Sequence, residues 1–545
     1  RTGRDAIASM LLGLMSGGSL RTEPALSDQV IYGALYVQDD WHVNSRMTLN
    51  LGLRWDSDRP FTERYNRTSW FDPTVALPLQ VPGVAPLRGG LVFAGRDGNP
   101  RGNNNPDNNN FAPRVGLAYK LTNDLVVRTG FGIFYNPTTG QAPSSGTTGA
   151  LSFDSQTDVI SSIDAGRTPF TTLSNPFPNS FNVPTNGAQG PLTMIGQSIS
   201  DVLRGDRASY NMQWNFDVQY GLKQDMLLDV AYAGNSGVKL MAAPQWNQLA
   251  DQYLALGDQL TAKVANPFYG FIPTTSTLGQ ATTTLGQLLR PYPQLTGLQQ
   301  LRDMMAHSTY HSLQIKFRKR YRNGLQFLAA YTWSKMIDDA SGLAAGFTNN
   351  NDRRLDRSLS SSDIPHHLVF NYQYELPFGA GRRFLSQGKL LDAVFGGWRL
   401  NGITTIQSGP PVPIFSAANT TNSFGGVQRP NSAGISSETP GGAKDRIDHF
   451  FNTAAFLIPP KYAFGNVGRY LPDNRAPGLQ NWDLSVLKDI PIQESRRLEF
   501  RAEFFNLFNN VNFGGPATVF GQPQFGTIRQ TEPARIIQFA LKFFY

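Results

Sequence analysis

Residues 210–222, YNMQWNFDVQYGL, decide the reading of the whole chain. Tyr210, Met212, Trp214, Phe216, Val218, Tyr220 and Leu222 alternate with Asn211, Gln213, Asn215, Asp217 and Gln219. Successive side chains of an extended strand point to opposite faces, so this segment has one apolar face and one polar face. Strands of soluble proteins most often run to about 5–6 residues. This one has the roughly 9–11 residues with which a tilted strand crosses a bilayer.

The same period continues on both sides. Met47, Leu49, Leu51, Leu53 and Trp55 alternate with Thr48, Asn50, Gly52, Arg54 and Asp56, and Leu498, Phe500, Ala502 and Phe504 alternate with Arg497, Glu499, Arg501 and Glu503. Further strands are expected at residues 31–41, 115–121, 125–135, 226–232, 313–317, 325–333, 368–376 and 482–486, with a weaker one at 398–406. A last strand at 537–545 places Ile537, Phe539, Leu541, Phe543 and Tyr545 on one face. These make six hairpins and a single strand.

Connection lengths also alternate. Residues 43–45, 122–124, 223–225, 322–324 and 491–495 read as tight turns, and residues 58–110, 136–207, 235–308 and 408–480 as long loops. Short turns at one end and long loops at the other is the layout of an outer-membrane barrel, where aromatic residues gather near the strand ends. A soluble propeller would repeat every 40–50 residues or so, and no such repeat is present. The fold expected is an all-β, antiparallel transmembrane β-barrel of the large, 22-stranded type. Thirteen strands is odd for a bacterial barrel, so the barrel reads as incomplete, with strands upstream.

Composition agrees. Charged residues are 16% of the chain, below the roughly 25% of soluble domains, and polarity comes from 53 Gly, 36 Pro and Asn/Ser/Thr-rich stretches. The longest apolar run, residues 6–15, is half the length of a membrane-spanning helix of about 20 residues. A mean hydropathy of −0.30 fits strands that show lipid only every second side chain. Cysteine is absent, which excludes disulfides and thiolate metal sites. The net charge of +8 is dispersed, its densest cluster being residues 316–322, so no nucleic-acid partner is expected. The first residue is Arg and no signal peptide is visible, so the chain reads as processed or as a fragment.

Catalysis needs convergent groups, and none stand out. His307 and His311, if both lie on one strand, are about 13 Å apart, too far to share a zinc ion. His366 and His367 open a strand, and Ser408 lacks the strand-to-helix elbow of a serine hydrolase. The Asn-rich run 99–110, with Asp97 and Asp107, lacks the spacing of a calcium loop and reads as a mobile surface loop. No cofactor, metal or catalytic residue is expected. Arg54, Arg128, Asp217, Lys316, Arg497, Glu499, Arg501 and Glu503 fall on polar strand faces, where they would line a lumen and chiefly satisfy one another across strands.

Four segments, taken in order, resemble TonB-dependent receptors of the Oar-like type: residues 34–56 (ALYVQDDWHVNSRMTLNLGLRWD), 361–384 (SSDIPHHLVFNYQYELPFGAGRRF), 396–414 (GGWRLNGITTIQSGPPVPI) and 497–516 (RLEFRAEFFNLFNNVNFGGP). The resemblance implies a bacterial outer-membrane protein and energised uptake of a large or scarce ligand such as an oligosaccharide, peptide or metal chelate. In that mechanism the inner-membrane TonB complex pulls a plug inside the barrel. It further implies contact with membrane lipid and lipopolysaccharide, and a C-terminal strand read by the barrel assembly machinery. No plug precedes residue 30, so residues 1–29 read as a loop or the remnant of an upstream segment and residues 30–545 as barrel. Other classes compatible with the sequence are an outer-membrane adhesion or structural protein and a passive porin.

Overall fold

Thirteen strands run in chain order through one antiparallel sheet: β1 (Tyr32–Asn44), β2 (Met47–Asp58), β3 (Asp107–Lys120), β4 (Leu125–Asn136), β5 (Ser209–Lys223), β6 (Met226–Ala242), β7 (Asp303–Arg322), β8 (Leu325–Asp338), β9 (His366–Glu375), β10 (Trp398–Gln407), β11 (Leu479–Gln493), β12 (Arg496–Phe505) and β13 (Ile536–Phe544). A two-residue strand, Ser358–Leu359, pairs beside β8. The computed structural model describes residues 10–545 except 16, 103, 137–149, 160–168, 170, 179–182, 202–203, 206, 224, 274–275, 301–302, 341–345 and 494–495. Residues 1–9 of the expected N-terminal segment, Asn103 of the Asn-rich run, and parts of the expected turns 223–225 and 491–495 therefore lie outside the described residues.

All thirteen strands expected from alternation are present, several of them longer than the pattern indicates, β8 and β11 included. β3 begins at Asp107, β6 continues to Ala242 and β7 spans Asp303–Arg322. Where the extra length lies at the loop end it is covered, Ala242, Ala306 and Ser312 being buried. With protein packed on both faces there, alternation has no physical cause.

Register carries the apolar face across the sheet. Leu51 stands opposite Val115, Val115 opposite Phe131, and Phe131 opposite Trp214. Phe216 stands opposite Tyr232, Tyr232 opposite Leu313, and Leu313 opposite Trp333. Leu484, Phe504 and Ile537 continue the row to β13. A slip of one residue would turn a strand's whole apolar set to the other face, so agreement over thirteen strands fixes the sidedness. Val115, Phe131, Phe216, Tyr220 and Trp333 on this face are exposed, a continuous apolar surface that a water-soluble monomer does not carry. Trp55, Trp214, Trp333 and Trp482 lie toward the loop end of the face, and Tyr220, Phe327 and Trp398 toward the turn end, in the manner of two interfacial girdles.

This sidedness has a measurable consequence. Phe216→Arg, on a side chain 50% exposed on the apolar face, is expected to cost roughly 2–4 kcal/mol near the bilayer midplane. Asn215→Arg, one residue away on the polar face, should cost much less. Urea unfolding in lipid vesicles measures both, and equal costs would mean that inside and outside are reversed.

At one end the strands are joined by residues 45–46, 121–124 and 323–324. Asn323 and Gly324 both have positive φ, as the tight Asn-Gly hairpin turn requires. One connection at this end is long: residues 376–397 carry a short helix, α1 (Lys389–Phe395). At the opposite end the described residues of 59–106, 137–208, 243–302, 339–365, 408–478 and 506–535 lie off the sheet, Ser358–Leu359 excepted. Residues 339–365 and 506–535 add to the four long loops expected.

These loops hold most of the buried apolar core. Phe71, Leu91 and Phe93 from one loop pack with Leu151, Phe153 and Ile199 from the next and Leu295 and Leu298 from a third. Val412, Ile414, Phe450 and Phe451 pack with Ile528 across two more. Short ladders tie loop to loop, Ser198–Asp201 running parallel to Gly297–Gln300 and Phe415–Ser416 parallel to Val519–Phe520. Residues 19–22 join this head by pairing with residues 155–158. Together the loops form a packed head on the sheet.

Candidate functional site

Every charged residue singled out by sequence lies on the polar face. Arg128 stands opposite Asp217, and Lys316 opposite Asp229, itself hydrogen-bonded by Gln219 at 3.2 Å. Glu499 accepts from Arg501 at 2.5 Å and from Arg399 at 3.0 Å, and Arg399 also reaches Asp489 at 2.8 Å. Arg54 donates to Asp56 at 2.8 Å and to the Tyr32 hydroxyl at 2.8 Å. Glu503 lies opposite Ser485, while Arg497 sits apart at the turn end over the Phe544 ring. These groups form two cross-strand clusters and an outlying pair, so charge is largely balanced within the wall.

Between the clusters the polar face encloses a concavity of about 610 Å³ spanning β7 to β12, lined by Arg318, Gln326, Asn371, Gln373, Asn401 and Asp483 among others. A second, of about 470 Å³, spans β3 to β7 and includes Arg114, Gln213 and Asn235. Both show the sheet curling with its polar side inward. Gln326 donates to Gln373 at 2.8 Å, whereas Asn371 Oδ1 and Asn401 Oδ1 have no partner among the described residues. Sequence reading marked charges and passed over this neutral row. Extending the period-two alternation along Leu325–Asp338, His366–Glu375 and Trp398–Gln407 to every polar residue would have found it.

The loop head contains a second polar system with no period to reveal it. Arg429 and Asp356, both buried, pair at 3.0 Å, and Asp356 also accepts from Thr348 N and Oγ1 at 2.9 Å each. Burial pushes the Asp356 carboxyl up from its ordinary value, and Arg429 pulls it back. Arg290 donates to Asn247 O, Gln287 Oε1 and Thr296 O, and burial lowers its pKa to about 10, still charged at neutral pH. Arg469 pairs with Asp338, and Arg475 with Asp363. Gln248 donates to Asn349 at 2.6 Å and accepts from Asn350 N at 3.0 Å, fastening residues 243–302 to residues 339–365.

The Asn-rich run is loop only as far as residue 106 among the described residues. Its last four residues are the start of β3, where buried Asp107 accepts from Ala208 N at 2.8 Å and Asn108 bonds Trp55 Nε1 and Ser57 Oγ, each at 2.7 Å. Alternation fails there because the strand is covered by the head. His307 and His311 share β7, but His307 lies by Asp339 at 3.7 Å and His311 bonds the Tyr232 hydroxyl at 2.7 Å. His366 opens β9 and bonds the Tyr331 hydroxyl at 2.8 Å, with His367 beside it in the strand. Ser408 follows β10 and donates its backbone N–H to His366 O. No cluster of three metal-binding side chains occurs among the described residues. On β13, Ile537, Phe539, Leu541 and Phe543 stand opposite Phe504, Ala502, Phe500 and Leu498, and Tyr545 stacks on Phe543.

A family model described as the outer membrane beta barrel domain matches residues 1–538. The chain belongs to the outer membrane β-barrel domain family. Its exposed apolar sheet face has the character of the surface that an outer-membrane barrel turns to lipid. No curated protein matches the barrel domain in sequence. Among solved structures it is similar to the ferripyoverdine receptor of the outer membrane of Pseudomonas aeruginosa, at 10% identity over 95% of this chain and 39% of that one, with a TM-score of 0.40. It is similar to the ferric-catecholate import receptor Fiu from E. coli K12, at 10% identity over 95% and 44%, with a TM-score of 0.40. It is also similar to the outer membrane transporter YddB from Escherichia coli, at 9% identity over 95% and 54%, with a TM-score of 0.44. The barrel domain thus spans about two-fifths to one-half the length of these structures.

Proposed function

We propose that this chain supplies barrel wall and surface head to a TonB-dependent outer-membrane receptor that takes up a large or scarce ligand, and that it has no catalytic role. The observation that carries the reading is the division of labour in the fold: a sheet with one lipid-compatible face and one concave polar face, capped at a single end by a packed head. The four receptor-like segments place the same assignment on the sequence. The head would meet the ligand outside the cell, and the polar face, with its row of Gln326, Asn371, Gln373 and Asn401, would meet water, ligand or a plug. Beside Arg318 and Asp483 in the same concavity, those neutral amides can make reversible hydrogen bonds with whatever passes or docks.

The full-length protein is expected to fractionate with outer membranes and to show β-sheet circular dichroism in detergent, because strand polar groups within a bilayer must pair inside the sheet. In planar bilayers it should carry no steady current, and it should bind the purified periplasmic domain of TonB. A steady open conductance would favour a passive porin. Outer-membrane residence with neither conductance nor TonB binding would favour an adhesion or structural protein.

A further inference from the structure

The turn-end connection between β9 and β10 stands apart from the tight turns beside it. In α1, Leu390, Leu391, Val394 and Phe395 are all exposed, Leu390 to 80%, and in the preceding turn so are Phe384 and Leu385. At 100° per residue the four helix side chains share one face. Asp392 points the other way and accepts from Ala380 N at 2.6 Å, closing the segment on itself. A seven-residue helix is too short to persist alone in water.

What holds α1 is the lipid-facing side of the sheet. Trp398 stands in the row with Lys488 and Phe500, on the apolar face. Trp398 Nε1 donates to Val394 O at 2.9 Å. Lys488 Nζ donates to Val394 O at 3.2 Å and Gly396 O at 2.7 Å, and lies over the Trp398 ring. Two side chains of the apolar face thus clamp the helix C-terminus beside the apolar belt, at the level of the turn-end aromatic residues. Around it Arg382, Arg383 and Lys389 are exposed. Arg382 pairs with Glu375 at 2.7 Å, which leaves Arg383 and Lys389 as the cations of this segment without an ion pair among the described residues.

We propose that α1 and its preceding turn are a membrane-surface anchor, seated in the headgroup and acyl boundary of the leaflet at the turn end, whose ligand is anionic phospholipid. The inference rests on the sheet spanning the bilayer. An amphipathic helix with a basic rim buries its apolar face in that boundary, and its cations pair with lipid phosphates. Here the anchor fixes the depth and tilt of β9 and β10, whose polar sides form part of the larger concavity.

The chain has no cysteine, so single introduced cysteines can be spin-labelled without background. Leu390→Cys, Val394→Cys, Val115→Cys in the mid-sheet apolar face and Glu438→Cys in the head would be compared in the full chain. The host is vesicles of phosphatidylethanolamine and phosphatidylglycerol. Labels at 390 and 394 are expected to be relaxed severalfold more by oxygen than by a water-soluble nickel chelate, at a shallower depth than 115, with 438 showing the reverse preference. Chelate access at 390 and 394 equal to that at 438, with 115 still oxygen-preferring, would overturn the anchor and leave the spanning sheet intact. Exclusion of both reagents from 390 and 394 would mean that protein covers the helix, and would also overturn it. Chelate access at 115 would remove the spanning sheet and the anchor together.

Discussion

Replacing Arg429 by methionine is expected to destabilise the loop head by roughly 3–5 kcal/mol, the usual cost of removing one partner from a buried ion pair. Both partners are almost fully buried, with side-chain exposures of 1% and 0%. Methionine fills much of the volume, so the loss is electrostatic. The Asp356 carboxylate keeps its two bonds from Thr348 and loses its counter-charge. Its pKa, already raised by burial, then rises further. For an acid whose folded pKa lies above its unfolded value, stability is fully present below the unfolded value and falls as pH rises through the folded one. The defect should therefore be small near pH 4 and largest at neutral pH and above. Arg429→Met combined with Asp356→Asn should recover most of the loss at neutral pH, since no charge is left unpaired. Protease susceptibility of residues 339–365 across a urea series measures both variants against the unchanged protein. A pH-independent loss unrelieved by the double change would show that Arg429 acts through packing alone.

That pair belongs to the part of the molecule sequence reading did not see, for a physical reason. A strand between lipid and a polar interior meets two different solvents on its two faces, and the period-two pattern records this directly. All thirteen strands, their order and their sidedness were legible from runs such as Tyr210 to Leu222. Where protein covers both faces, as at Asp303 to Ser312 or Asp107 to Asn110, the pattern lapses and the strands read short. The head has neither period. Phe71, Ile199 and Leu298 meet across more than two hundred residues of chain, and nothing local in any of the three marks them as neighbours. Asn349, Asn350 and Asn351 carry no period, yet they are the hydrogen-bonding joints between two loops. The charges on the polar face were found because they interrupt apolar strands, and the amide row was missed because neutral polar residues interrupt them less conspicuously.

In the full-length protein, deletion of Phe543, Phe544 and Tyr545 is expected to abolish insertion in the outer membrane. β13 meets β12 over nine residue pairs, from Phe505 opposite Ile536 to Arg497 opposite Phe544. The deletion removes the last two, leaving Arg497 and Leu498 without partners on that side at the turn-end boundary. Backbone groups unpaired in hydrocarbon cost several kcal/mol each, so a frayed corner there is far worse than one in water. The deletion also takes away the stacked Phe543 and Tyr545 rings and the Phe544 ring beneath Arg497. The alternating Ile537, Phe539, Leu541 and Phe543 are the features an assembly machinery that reads an aromatic strand would recognise. Replacing Gln538 and Lys542 by alanine leaves the ladder and the apolar row intact, and should be tolerated. Surface protease accessibility and the outer-membrane fraction decide between the two variants. Normal exposure of the truncated protein at the cell surface would refute the role given to this strand, and equal failure of the alanine variant would move that role from its aromatic face to its polar one.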